Sequence, residues 1–237
     1  MPAFTLIARS GAPDDAAAEW RWYSGDNGAK RYSPLAQITK ENVSTLQIAW
    51  RRPHLDPALS GLVPPSFRLS NNFRSTPLMV RGVLYASNAI GLTEAFDPET
   101  GKTLWVQKPG GEDLRGSTSN RGVAYWSQGA DERLFSFRGH SLFALNPKTG
   151  EPIPSFGHKG VVDLNDGIDT TLGQWHWASA PLVAKDVIVM GSAMAEQDSA
   201  TKQEGQPGDV RGYDEHTGKL RWVFHVVPRE GEEGRDT

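Results

Sequence analysis

Ala95-Phe96-Asp97-Pro98-Glu99-Thr100-Gly101 is followed by two near copies, Ala144-Leu145-Asn146-Pro147-Lys148-Thr149-Gly150 and Gly212-Tyr213-Asp214-Glu215-His216-Thr217-Gly218. Each copy runs an apolar stretch into Asp or Asn, closes a four-residue turn with Thr-Gly, and places an aromatic a few residues on: Trp105, Phe156 or Trp222. Asp97, Asn146 and Asp214 bond forward to the backbone and start the turn, while the glycines take a positive φ that residues with a side chain resist. Each turn is expected to join two antiparallel strands. A strand-turn-strand unit repeated along a chain builds a stacked or radial all-β array, so the repeat governs how every other residue is read.

A second repeat lies upstream of two of these turns. Ser75-Thr76-Pro77-Leu78-Met79-Val80-Arg81-Gly82-Val83-Leu84-Tyr85-Ala86-Ser87 is matched by Ser179-Ala180-Pro181-Leu182-Val183-Ala184-Lys185-Asp186-Val187-Ile188-Val189-Met190-Gly191-Ser192. Both read as strand, turn, strand, with β-branched and large apolar residues flanking a polar pair. The two repeats together give about four short strands per unit, which is the blade of a β-propeller.

Composition sets the limits. The chain has 237 residues, enough for a substantial core, and its 25 glycines and 16 prolines suit a turn-rich, all-β protein. Helical patterning is confined to residues 13–21 and residues 39–46, the latter with Thr39 as N-cap and Asn42 in its first turn. The net charge of −3 comes without a basic block, which argues against a nucleic-acid partner. Cysteine is absent, so there are no disulfides and no thiolate metal sites. Residues 4–8 are apolar but too few, and without a basic lead, for a secretory signal or a membrane span. Several of the eight tryptophans fall at equivalent places after a turn, where an aromatic can wedge blade against blade, and most of the eight read as packing residues.

A longer series of motifs points to a family. Trp22-Tyr23-Ser24-Gly25-Asp26-Asn27, Arg31-Tyr32-Ser33-Pro34-Leu35, Gln37-Ile38-Thr39, Glu41-Asn42-Val43 and Ala49-Trp50 come in order. Thr76-Pro77-Leu78, Asn120-Arg121-Gly122-Val123-Ala124-Tyr125-Trp126 and Gly208-Asp209-Val210-Arg211-Gly212-Tyr213-Asp214 come after them. In order and spacing this series resembles the pyrroloquinoline quinone (PQQ) dependent alcohol and glucose dehydrogenases. The resemblance runs from about Trp20 to the last residue, which leaves residues 1–19 as an N-terminal extension and residues 20–237 as propeller blades.

That resemblance implies an eight-bladed propeller with PQQ near its axis, held by its carboxylates and by a divalent cation, calcium or magnesium. The implied reaction oxidises an alcohol or sugar hydroxyl and passes electrons to a cytochrome or a membrane quinone. The metal would act as a Lewis acid with hard oxygen ligands, and the cofactor would carry the redox chemistry. Carried over residue by residue, the resemblance implies that Glu196 in Gly191-Ser192-Ala193-Met194-Ala195-Glu196 is the metal ligand, with Ala193 lining the cofactor; the residues alone favour a solvated loop glutamate, ahead of the polar run at residues 197–208. By the same resemblance Arg121 approaches a PQQ carboxylate, which a planar guanidinium suits; the competing reading is a surface arginine or a blade-to-blade ion pair. In Trp175-His176-Trp177-Ala178-Ser179-Ala180-Pro181, Ala178 replaces a usual threonine, and Ser179 either supplies the hydroxyl or begins a strand. His176 has no second ligand at metal spacing and reads as a packing or surface residue. Arg74 stands where an acidic residue often precedes Thr-Pro-Leu, and is a further candidate for a cofactor carboxylate.

Two departures stand out. Adjacent cysteines precede Asn-Arg-Gly in the alcohol dehydrogenases, whereas this chain has Arg115-Gly116-Ser117-Thr118-Ser119, a feature of the sugar dehydrogenase side. Three Thr-Gly turns and an opening strand at residues 46–50 account for three to four blades, an incomplete ring with exposed edges. The catalytic base is then expected beyond Thr237, no turnover is expected from the chain alone, and the missing blades or another copy are expected partners. Relatives work in the periplasm, and that location is the expectation here. The alternative from a different class is a non-catalytic propeller scaffold resembling outer-membrane assembly lipoproteins.

Overall fold

Among the described residues the strands form three antiparallel sheets that follow chain order, apart from one two-residue strand of the third. The computed structural model describes residues 19–63, 74–110, 120–168, 176–193 and 208–235. The first sheet holds β1 (Leu78–Val80), β2 (Val83–Ser87), β3 (Thr93–Phe96) and β4 (Thr103–Val106). The second holds β5 (Ala124–Gln128), β6 (Asp131–Arg138), β7 (Ser141–Leu145) and β8 (Val161–Asp163). The third opens with β9 (His176–Trp177), which pairs the far end of β11, and continues through β10 (Leu182–Ala184), β11 (Val187–Ala193), β12 (Val210–Asp214) and β13 (Leu220–Phe224). Both sequence repeats therefore mark what they predict: β1-β2 and β10-β11 are the upstream hairpins, and the Thr-Gly turns of the first and third sheets link third to fourth strands.

The turns close as their chemistry requires. Asp97 Oδ1 accepts from the Thr100 amide at 2.8 Å and its hydroxyl at 2.7 Å, and Asp214 Oδ1 accepts the same pair from Thr217 at 2.7 and 2.8 Å. Gly101, Gly150 and Gly218 sit at φ +68°, +72° and +71°. The middle copy departs from the other two beyond its glycine. After Gly150 the chain bridges Leu145 at Pro152 and loops through Phe156 before β8 returns to pair with β7.

The sheets pack face to face. Leu78, Val80, Tyr85 and Ala95 of the first meet Val123, Tyr125, Leu134, Phe143 and Leu145 of the second. On the other side of the second sheet, Phe135, Phe137, Leu142 and Ala144 meet Ile188, Met190, Tyr213 and Trp177. This explains why β6 and β7 are buried at every apolar position instead of alternating: Leu134 faces one neighbour and Phe135 the other. Each fully buried Phe or Leu here contributes about 1.5–3 kcal/mol.

Junctions between blades use the turns. Trp50 lies over Gly101, where an added Cβ would sit 2.6 Å from its ring, and its Nε1 donates to Pro98 O at 2.9 Å. Trp105 does the same to the next turn, with 2.4 Å at Gly150 and 2.9 Å to Pro147 O. The third junction is built differently. Phe156 and Val162 cover Gly218, and Arg133 Nη1 donates to Glu215 O at 3.1 Å and His216 O at 2.8 Å. Trp126 adds a bond to Lys185 O at 3.1 Å.

Three expectations need correction. The helix expected at residues 39–46 is a 3-10 turn at Val43–Thr45: Thr39 Oγ1 accepts from the Glu41 amide, but Asn42 Oδ1 turns back to the Thr39 amide at 2.7 Å and stops propagation. A second 3-10 segment, Pro57–Leu62, starts at Asp56, whose side chain accepts from the Ala58 amide. Residues 46–50 belong to no sheet among the described residues; only Trp50 anchors them, to the first sheet. Most of residues 13–21 lie outside the described residues. Trp222 does not wedge like Trp105 but lies on its own strand pair, 40% exposed.

Candidate functional site

In an antiparallel blade the first strand begins at the edge where the second ends, so inner-strand starts and second-strand ends share one rim. That rim gathers the sequence candidates. Thr76 donates its amide to Arg121 O at 2.9 Å and bridges Gly122 in parallel, which places the start of β1 against the start of β5. Gly122 in turn faces Ala180, whose Cβ would lie 3.7 Å from a Cβ at that glycine. Arg74, Arg121 and Ser179, in the segments leading to β1, β5 and β10, are all exposed, and Ala193, the last residue of β11, is half-buried. Glu196 lies outside the described residues.

The Arg121 corner is held from beneath by a residue whose role was not legible in the sequence. Asn120 is buried; its Nδ2 donates to Phe137 O at 2.7 Å and its Oδ1 accepts from the Gly122 amide at 3.1 Å. One amide side chain thus ties the corner to the end of β6 and leaves the Arg121 side chain outside. Close by in the chain, Arg138 ends β6 buried over the Phe143 ring at 5.0 Å, and burial pushes its guanidinium down to about 10. The signal for Arg138 was present: a cation closing the run Leu134-Phe135-Ser136-Phe137.

The stretch leading to Glu196 is also braced. Ser192 pairs with Trp177 and Ala193 with His176, so the Trp-His-Trp segment and the Gly-Ser-Ala segment, distant in sequence, form one ladder. Trp177 is buried in the core, and its Nε1 reaches Asn165 Oδ1 at 3.3 Å. Ser192 donates its amide at 3.1 Å and its hydroxyl at 2.9 Å to Asp209 O. Asp209 is itself 1% exposed; Oδ2 meets Arg229 at 3.3 Å, and Oδ1 has no hydrogen-bond partner among the described residues. Glu94, by contrast, is committed to structure. Burial raises its pKa, and the Asn88 amide and the Arg52 guanidinium work against that rise.

At the opposite rim, Asp214, Glu215 and His216 bring three potential ligand atoms within 4.8 Å of one another. Asp214 Oδ1 is consumed by the turn and Oδ2 by Arg221 at 2.6 Å, so this group is a brace rather than a metal centre.

What this rim offers is cationic and hydroxyl donors on exposed loops, chemistry that suits a small ligand bearing several carboxylates. Residues 20–237 match the family model for the glucose/ethanol/alcohol dehydrogenase β-propeller domain that binds PQQ. The chain belongs to the PQQ-dependent dehydrogenase family. It is 33% identical over 240 residues to the dehydrogenase subunit of the quinone alcohol dehydrogenase of Gluconobacter oxydans, covering 95% of this chain and 26% of that protein. It is 28% identical to the quinoprotein glucose dehydrogenase of Escherichia coli, covering 88% of this chain and 27% of that one. Among solved structures, the quinohemoprotein alcohol dehydrogenase of Comamonas testosteroni matches with a TM-score of 0.66 and 26% identity, over 89% of this chain and 27% of that chain. The propeller expected from the repeats, of the quinoprotein kind that the resemblance implies, is therefore the fold, and the three sheets among the described residues are three of its blades. This chain spans about a quarter of the length of the relatives it matches.

Proposed function

We propose that this chain forms one wall of the cofactor site of a PQQ-dependent dehydrogenase that oxidises CH–OH groups of sugars or alcohols, and that it turns over only when further blades complete the ring. The observation that carries this reading is the convergence of Arg74, Arg121 and Ser179 on one rim of three adjacent blades in a chain of this family. Arg121 and Arg74 would neutralise carboxylates of PQQ, Ser179 would donate its hydroxyl, and Ala193 would line the cofactor. Glu196 would give oxygens to a calcium or magnesium ion, which takes such hard ligands. When bound, PQQ supplies a two-electron quinone acceptor. The chain's own residues bind and orient: Asn120 fixes the Arg121 corner, and Asp209 with Trp177 fixes the strand that leads to Glu196.

The absence of cysteine favours a sugar over an alcohol substrate, because the vicinal disulfide of the alcohol enzymes cannot form. The base that takes the substrate proton would lie on the completing blades. A cytochrome or quinone would take the electrons, and the periplasm is the proposed compartment.

The test is equilibrium binding of PQQ with calcium to the purified chain, monitored by quinone absorbance. Binding is expected to weaken in Arg121→Ala and Glu196→Gln, while Arg121→Ala, being at an exposed site, should change stability by no more than about 0.5 kcal/mol. Turnover of glucose or ethanol with a dye acceptor by the chain alone would refute the incomplete-site reading. PQQ binding unaffected by Arg121→Ala would refute the assignment of that residue.

A further inference from the structure

The third Thr-Gly turn departs from the other two at the positions that meet the neighbouring blade. The first two turns place Pro98-Glu99 and Pro147-Lys148 after their Asp or Asn, and Pro98 O and Pro147 O each accept an indole N–H, a contact with nothing to titrate. At the third stand Glu215 and His216, held against β6 of the second sheet. His216 has a carboxylate on either side: Nδ1 lies 2.8 Å from Glu215 Oε1 of its own turn, and Nε2 lies 3.5 Å from Asp131 Oδ2 at the start of β6. Glu215 is 3% exposed, and its Oε2 has no hydrogen-bond partner among the described residues. Trp126 of β5 stands edge-on to the imidazole with ring centroids 4.9 Å apart, and its Nε1 donates to Lys185 O at 3.1 Å. Further charged groups surround the ring on every element that packs there. From β6 comes Arg133, which binds Asp131 at 2.8 Å; from the turn and β13 come Asp214 and Arg221, paired at 2.6 Å; from the β10-β11 turn come Lys185 and Asp186, the latter held by Arg221 at 2.8 Å.

We propose that one proton at His216 closes the joint between the second and third sheets, and that its loss loosens this joint. A neutral imidazole has one N–H and one lone pair, whereas an ionised carboxylate only accepts. Between two carboxylates the neutral ring serves one and turns a lone pair to the other. Buried Glu215 has the stronger demand, because an unpaired carboxylate costs most where water is excluded. The single N–H then stays on Nδ1, and the contact that lapses is the one across the joint, from Nε2 to Asp131. Protonation supplies an N–H to each side. The outcome is the same when Glu215 carries the proton: its O–H donates to Nδ1 and the ring N–H faces Asp131, so the pair titrates as one unit. Arg133 Nη1 still donates to Glu215 O and His216 O in either state, which makes the change a loosening and not a separation. At the opposite rim the same two sheets are entered from Arg121 and Ser179, so this proton sets how firmly those segments are held side by side.

Hydrogen exchange of the full chain, without PQQ, tests this. The Gly157 amide donates to Thr217 O at 2.9 Å across the joint, next to His216, so its exchange reports opening; the Gly218 amide, bonded to Asp214 O at 2.8 Å inside the turn, is the reference. Rates are expressed as protection factors, which remove the intrinsic effect of pH. Gly157 is expected to lose protection roughly fivefold between about pH 5.5 and about pH 8, the range in which imidazoles titrate, while Gly218 holds constant. His216 is 41% exposed, so His216→Gln should fold, and its Gly157 profile should be flat. Glu215→Gln should also be flat but closed throughout, because the new amide N–H donates to Nδ1 and leaves the ring N–H for Asp131. A flat profile in the parent would overturn the inference. So would a dependence that persists in His216→Gln, since that assigns it to another group, such as His158 beside Gly157. Neither PQQ nor turnover enters this readout, so failure here leaves the cofactor reading standing, and the reverse also holds.

Discussion

Gly150→Ala isolates the energetics of a blade junction. Two penalties act at this site. The residue sits at φ +72°, where a side chain costs about 1–2 kcal/mol. The added Cβ would also lie 2.4 Å from Trp105 Cε3, so the indole must move off the turn. Moving it breaks the Nε1 bond to Pro147 O, worth about 1 kcal/mol, and forces an overpacked contact costing about 1–3 kcal/mol. The total is about 3–6 kcal/mol. Gly129→Ala is the control: its φ is +60° and no atom lies within 4 Å of the added Cβ, so only the backbone penalty of about 1–2 kcal/mol applies. With an m-value of about 3 kcal/mol/M, the urea midpoint of Gly150→Ala should fall roughly 0.7–1.3 M below that of Gly129→Ala. Tryptophan emission reports the transition, and the native-state spectrum should shift to the red in Gly150→Ala alone. Matching midpoints for the two variants would refute the claim that the indole-glycine contact holds the blades together.

Arg133→Met should cost about 3 kcal/mol, because it leaves the carbonyls of Glu215 and His216 without their buried donor; Arg133→Lys should not restore the loss, since an ammonium does not fork. Thermal unfolding of the three proteins checks both statements. Asn120→Ala removes two buried hydrogen bonds and is expected to cost about 2 kcal/mol and to speed amide exchange at Gly122 relative to the β6-β7 ladder. Burial works to raise the pKa of Asp214, but bonds from Thr217 and Arg221 outweigh it and hold the carboxyl well below the usual range. A depressed folded-state pKa gives stability that is present above the unfolded value of about 4 and is lost as pH falls toward the folded one. Asp214→Asn should therefore flatten the acid limb of stability measured by urea titration from neutral to acid pH, leaving the smaller contribution of Asp97, whose pKa is lowered chiefly by the Thr100 hydroxyl and amide.

Much of the fold was legible because its signals are local. An Asx turn ending in Thr-Gly needs only five residues to declare itself, and the hairpins around Arg81-Gly82 and Lys185-Asp186 are equally self-contained. The site was legible only as scattered motifs. Arg121 and Arg74 were recognisable from their surroundings, but not the bond from Thr76 to Arg121 O that seats their segments side by side. Asn120 and Asp209 read as ordinary loop polar residues, because their long-range partners, the Phe137 carbonyl that Asn120 donates to and the Ser192 hydroxyl that the Asp209 carbonyl accepts from, lie 17 residues away in the chain.

The sequence by itself determined the blade: its turns, its four-strand order and its membership of the quinoprotein propellers come from short-range hydrogen bonding, glycine conformation and motif order. Only the tertiary structure decided how blades meet. Trp105 and Trp222 occupy the same register, yet Trp105 is docked on the Gly150 turn and Trp222 is exposed, because packing between sheets and not residue type decides what an indole meets. Arg133 takes a tryptophan's place at the third junction for the same reason: a buried carbonyl needs a donor, and packing between blades selects which side chain reaches it.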